Sequence, residues 1–167
     1  MCRFPHVVTL ATLLSVVLAA APDASGDTAQ KTKGPALQGF IGDIEKLSEK
    51  NLDFRRVLYT GEKLQLVVMT LKPGEEIGEE VHADGDQFFR VEEGEGEVLI
   101  NGKRSRIKSG DAVLIPAGAR HNIVNTGKES LHVYTLYAPP EHRDRTVHAT
   151  KSDAEKSPQH FDGKTTE

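Results

Sequence analysis

Apolar and polar residues alternate with a period of two through most of the chain, and with a helical period only near its start. Residues 55–59 read as a strand, ended by Thr60-Gly61-Glu62. Residues 64–71 are apolar on both faces and stop at Pro73-Gly74. That composition belongs to a strand buried on both sides, or to one at an oligomer interface. Strands over 87–91 and 97–100 flank Glu93-Gly94-Glu95-Gly96. Asn101-Gly102 is a hairpin signal of the primed-turn type. Residues 103–108 return with alternating charge, as a strand exposed on one side. Strands over 112–115, 121–125 and 131–137 complete eight or nine short segments with turns at regular spacing, which predicts an all-β sandwich or small barrel. Thr146-Val147-His148 reads as a short return segment. Ahead of the strands, Ile41, Ile44 and Leu47 stand at helical spacing within 39–50, with Asp43 placed as a cap. They predict a short helix lying against the domain edge.

The ends of the chain differ from its middle. Residues 1–26 have the form of a secretory signal peptide: Arg3, then an apolar run over 7–21, too short to cross a bilayer comfortably, then small residues. Cleavage after Ala19 fits this pattern and would remove Cys2, the single cysteine. An intrachain disulfide and thiol catalysis are therefore excluded. The expected location is secreted or periplasmic, with no stable membrane association after cleavage. Residues 27–38 read as a disordered spacer, 39–151 as one folded domain, and 152–167, rich in Ser, Asp, Glu, Lys, Gly and Thr, as a disordered tail. With 167 residues, net charge −4 and 15 glycines, the chain suits one turn-rich β domain, with no basic surface for nucleic acid.

Candidate chemistry gathers between Gly74 and Asn125. Glu80 and His82 are two residues apart, so an extended backbone points both to one face. Gln87 and His121 join them if two further strands pack close by. Two imidazoles, a carboxylate and an amide suit Mn, Fe, Co, Ni or Zn, and composition does not rank these metals. One carboxylate against a divalent ion leaves a net +1, which favours an anionic oxygen at an open position. A rival set, His82, Asp84 and His121, has the form of a facial triad, although Ala83-Asp84-Gly85-Asp86 favours a turn. His132, Tyr134 and Tyr137 fall on the last long strand and read first as packing residues, with lining of the pocket by one of the tyrosines as the alternative. His142 and His148 flank a charged loop, from which reaching the cavity mouth is the minor reading.

These residues also carry a family resemblance. Gly110, Pro116, Gly118, His121 and Asn125 match every fixed position of the second cupin motif, G-x5-P-x-G-x2-H-x3-N. The first motif, G-x5-H-x-H-x4-E-x6-G, is matched in spacing, with Gly74, His82 and Gly94 in place. Glu80 stands where its first His usually sits, and Gln87 where its Glu sits. The region from about 54 to 151 resembles the small single-domain, RmlC-like cupins often labelled mannose-6-phosphate isomerase-like. The resemblance implies a double-stranded β-helix, or jelly roll, and a homodimer paired through an edge of the sandwich. It implies a divalent transition metal at Glu80, His82, Gln87 and His121, a set that departs from the usual three His and one Glu. It further implies a metal-dependent dioxygenase or isomerase, or a sugar-directed enzyme, acting on a small polar or anionic molecule. The alternative is a non-catalytic small-molecule or carbohydrate binder that uses the metal to hold its ligand.

Overall fold

A computed structural model describes residues 37–167. The signal peptide and most of the spacer expected from sequence lie outside the described residues. Two antiparallel sheets face each other across one core. The larger has six strands in the order β6-β3-β8-β2-β1-β9 and the smaller three in the order β5-β4-β7. Their ranges are β1 Arg55–Thr60, β2 Gln65–Leu71, β3 Asp86–Glu93, β4 Glu95–Ile100, β5 Lys103–Lys108, β6 Ala112–Ile115, β7 His121–Val124, β8 Leu131–Ala138 and β9 Val147–His148. This is the jelly-roll sandwich expected from the strand spacing and the resemblance. The core between the sheets includes Val67, Met69, Phe89, Val91, Ile123 and Val133, each fully buried. The Asn101-Gly102 hairpin takes the positive φ at both residues that a primed turn requires, 49° and 81°.

β2 is an inner strand, paired with β1 on one side and β8 on the other, and it is buried along almost its whole length. Its apolar character on both faces is therefore used within one chain and does not by itself call for a second copy.

Three segments differ from the sequence reading. The helix α1, Ile44–Glu49, begins at the expected cap: the Asp43 carboxylate accepts from Lys46 N at 3.2 Å. Its apolar stripe is not what docks it. Ile41 precedes the helix and is 99% exposed, and Ser48 is the buried residue. Polar contacts fix the helix instead. His132 Nδ1 lies 3.0 Å from the Ser48 carbonyl, and Asn51 exchanges hydrogen bonds with Thr70, 2.8 Å each way.

The segment carrying Glu80 is the second difference. Residues 75–82 make no regular strand, but they run extended beside β7 through isolated pairs Glu76–Val124 and Glu80–His121. Five residues on this side, 76–80, face four on β7, 121–124, and Gly78, at φ 107°, absorbs the extra one.

The third difference is the region 152–167, where an irregular tail was expected. Thr150 and Asp153 form a reciprocal capping box that opens helix α2, Lys151–Lys156. The residues after α2 are tied down by backbone pairing: Arg143 N donates to Gln159 O at 2.9 Å, Phe161 N to Glu141 O at 2.9 Å, and Thr166 N to Thr60 O at 2.9 Å. Hydrogen bonds of this kind leave no mark on composition, so a polar sequence gave no sign of them. Among the described residues, no helix is long and apolar enough to cross a membrane.

Gly96 sits where the sheets come closest to crowding. A Cβ there would meet the Val124 carbonyl oxygen on the neighbouring strand and Leu131 Cδ2 at 3.1 Å. Because backbone on a paired strand cannot swing aside, Gly96→Ala is expected to cost about 1–3 kcal/mol. The measurement is a lower urea midpoint at unchanged slope.

Candidate metal centre

The site is built where the extended segment 75–82, the start of β3 and the start of β7 meet. Glu80 N donates to His121 O at 2.9 Å, and His121 N donates back to Glu80 O at 3.0 Å. This pair sets the Glu80 and His121 side chains beside each other. His82 follows on the same face as Glu80. The turn after Pro116 is pinned on two sides: Gly118 N donates to His82 O at 2.8 Å, and Ala117 N donates to Asp86 Oδ1 at 2.8 Å. Gly118 takes φ 76° there, a conformation that favours glycine. The Pro-x-Gly-x-x-His spacing thus serves one purpose: it delivers His121 beside His82 and Gln87.

Ligand atoms of Glu80, His82 and His121 all lie within 4.8 Å of one another. Gln87 joins them, with Oε1 2.9 Å from His121 Nε2. The Gln87 amide donates through Nε2 to Thr135 Oγ1 at 3.1 Å, which aims its oxygen at the cluster. The other nitrogen of His121, Nδ1, lies 3.0 Å from the Ala119 carbonyl. Both nitrogens of one buried imidazole therefore face oxygens that only accept. A neutral ring donates to one of them, and the other contact needs a cation between its lone pairs, either a second proton or a metal ion. Two further atoms carry the same signature. Glu80 Oε2 and His82 Nε2 are buried without a hydrogen-bond partner among the described residues, 3.5 Å apart. Glu141 Oε2 stands 3.4 Å from His82 Nδ1, the carboxylate-behind-histidine arrangement that orients metal-binding imidazoles.

Charge at the site follows from these contacts. Burial pushes the Glu80 carboxyl up, but His82, Arg55 and His121 outweigh it and hold it below its ordinary value. Burial pulls the His82 imidazole down, but the carboxylates of Glu141 and Glu80 outweigh it and raise it to about 9. A metal ion entering the site at neutral pH therefore displaces a proton from His82. Burial holds the His142 imidazole neutral and pushes the Tyr137 phenol up.

The structure brings Glu80, His82, Gln87 and His121 to one place. Asp84, of the rival triad, sits exposed in the turn at 83–84, outside this cluster. His148 is buried elsewhere, with Nε2 3.1 Å from Ser157 O, and His132 packs under α1. Sequence reasoning did not assign Arg55, Glu141 or His142 to the site and read Tyr137 first as a packing residue. Arg55 left one trace, an arginine at an inward position of a strand. Tyr137 reaches the site from β8, where it pairs with Gln87. Glu141 and His142 reach it through the turn after β8, and no spacing rule reports that.

Residues 67–137 match the family described as the Cupin domain. The protein YrkC of Bacillus subtilis (strain 168) is 39% identical over 130 residues, spanning 74% of this chain and 69% of YrkC. A protein of Acanthamoeba polyphaga mimivirus is 37% identical over 110 residues, 63% of this chain and 68% of that one. The crystal structure of a Bacillus halodurans protein, 42% identical, aligns with a TM-score of 0.71 over 74% of this chain and 97% of that one.

Asn125, the last fixed position of the second motif, touches none of the candidate ligands. Its Nδ2 donates to the carbonyls of Leu71 and Glu129, 2.8 Å each, and its Oδ1 accepts from Gly127 N at 2.9 Å. Asn125→Ala strands these groups and is expected to cost on the order of 3 kcal/mol. Chemical denaturation reads that loss, while the metal content of the folded variant should equal that of the parent.

Proposed function

The chain belongs to the cupin superfamily, and on that premise we propose that it holds one divalent transition metal through Glu80, His82, Gln87 and His121. It then acts on a small polar or anionic molecule as an enzyme of the dioxygenase, isomerase or sugar-directed kind. One observation carries the metal: the ligand atoms of Glu80, His82, Gln87 and His121 are turned toward each other in a single cluster. The donor set of two nitrogens and two oxygens fits Mn, Fe, Co, Ni or Zn.

A metal there supplies Lewis-acid polarisation, or activation of water or dioxygen. The chain's own residues prepare for that in separable ways. Ala119 O holds the His121 ring by Nδ1 and leaves Nε2 for coordination. Glu141 does the same for His82 from the other side. Thr135 fixes the Gln87 amide so that a neutral oxygen stands where the resemblance has a carboxylate. Glu80 supplies the one carboxylate of the set, so with a divalent ion the centre would carry a net +1, and an anionic oxygen is the favoured occupant of an open position. Tyr137, packed against His82, and His142, packed in turn against Tyr137, are the proton-carrying groups beside such an occupant. They favour an enzyme over a binder that only holds its ligand. The signal-peptide pattern of residues 1–26 adds export to the proposal.

Elemental analysis of the purified full chain tests the assignment. The parent should carry one metal per chain, His121→Ala should carry none, and Gln87→Glu should keep it. Asp84→Ala should bind as the parent does. Loss of metal from Asp84→Ala together with retention in Glu80→Ala would move the assignment to the rival triad. Glu141→Gln, which removes only the charge behind His82, is expected to weaken metal binding about 10–100-fold in a competition titration.

A further inference from the structure

A metal ion would satisfy Glu80 Oε2 and His82 Nε2, but three buried groups beside it have no such account. Arg55 enters from β1 and is 7% exposed. Its Nη2 lies 3.4 Å from Glu80 Oε1, and its Nε is buried with no hydrogen-bond partner among the described residues. Tyr137 Oη and His142 Nε2 are buried in the same condition, on residues 2% and 7% exposed. The three belong together. The His142 ring meets the edge of Tyr137 at 5.0 Å between centroids, and Tyr137 meets His82 at 5.5 Å. Arg55, His82, Glu141 and His142 line one cleft of about 310 Å³. His82 and Glu141 also border an adjoining cleft of about 270 Å³ lined by Tyr137.

A stranded buried donor or acceptor costs about 1–3 kcal/mol. Three about two adjoining clefts point to a ligand that joins them. Arginine offers only donors, and a phenol and a neutral imidazole can each donate once. Their complement is an acceptor with paired oxygens. The charges of the cleft narrow it further. Glu80, Glu141 and Glu155 line it too, and Arg55, whose Nη2 already faces Glu80 at 3.4 Å, has its Nε left for a guest. The planar fork of a guanidinium matches a carboxylate, and beside those acidic residues a phosphate dianion would meet more repulsion than a monoanion.

We infer that the molecule brought to the metal is a small organic carboxylate, gripped through its carboxylate by Arg55, Tyr137 and His142. The inference rests on the metal reading above. A metal held by Glu80, His82, Gln87 and His121 would polarise the molecule, and the three side chains orient it through its carboxylate.

The full chain loaded with cobalt(II) and titrated with glycolate tests this, read by calorimetry and by the visible absorption of the cobalt. Glycolamide, its neutral counterpart, and inorganic phosphate are the other arms. Glycolate should bind saturably, and both others at least about tenfold more weakly. Arg55→Met and Tyr137→Phe should each keep one cobalt per chain and weaken glycolate by about tenfold or more. Tyr137→Phe changes no packing volume beyond one unpaired hydroxyl. Its Tm without glycolate should therefore match or exceed the parent's, and it keeps the test decisive if Arg55→Met does not fold. Unchanged glycolate affinity in Tyr137→Phe overturns the inference, as does tighter binding of phosphate. Loss of cobalt from folded Arg55→Met also overturns it, because Arg55 then serves only to hold Glu80. A parent chain that takes up no cobalt fails the metal reading before glycolate is added, and the inference falls with it.

Discussion

The reciprocal backbone hydrogen bonds between Glu80 and His121 are what the site depends on. They join an irregular segment to the first residue of β7. Without them Glu80 and His82 would hang on a loop, and loops rarely hold side chains to the tolerance that a coordination sphere requires. With them, two side chains from distant parts of the chain become cross-strand neighbours. The remaining contacts refine that placement. Gly118 N ties the turn before β7 to His82, and Asp86 ties the same turn to β3, where Gln87 sits one residue on. The glycine at 78 makes the whole arrangement feasible, since without an extra residue there the segment would present the opposite face to β7.

The apolar sandwich supplies the second condition. Phe89, Val133 and Ile123 are fully buried around strands that also carry Gln87, Thr135 and His121, so polar groups are held in surroundings without water to satisfy them. In such surroundings an unmatched lone pair is expensive, and the arrangement is explicable only if a cation or a ligand completes it. Glu80 stands where the resemblance has a His and Gln87 where it has a carboxylate, so the two exchanges cancel and the set keeps one carboxylate. The buried Arg55 adds a positive charge beside it, which favours a negatively charged guest over a neutral one.

The strands were legible because each buries one face, and a period of two follows directly from that. The hairpin at Asn101-Gly102 and the termination of β2 before Pro73-Gly74 were legible for local conformational reasons. Glu80, His82, Gln87 and His121 could be singled out because motif spacing encodes which turn delivers which side chain. Their approach to one another could not be derived without a partner strand. The docking of α1 at the domain edge was legible but its means was not: a serine carbonyl and a histidine hold it, while the exposed Ile41 misled the periodicity. Helix α2 was hidden in a polar segment, although Thr150 and Asp153 are the capping signature that could have revealed it. Glu141 and His142 were not assigned for a different reason. Their place arises only once the turn after β8 folds back over the site, and no local pattern carries that information. Arg55 enters from β1, where only its inward position on a strand marked it.

X-ray absorption spectroscopy on the metal-loaded full chain is the most direct measurement of the central claim, that two imidazoles, one carboxylate and one amide share a single ion. The account predicts a coordination sphere of nitrogen and oxygen only, with the outer scattering of two imidazole rings, reduced to one ring in His82→Ala. A spectrum with sulfur in the sphere, or one without imidazole scattering, would contradict it.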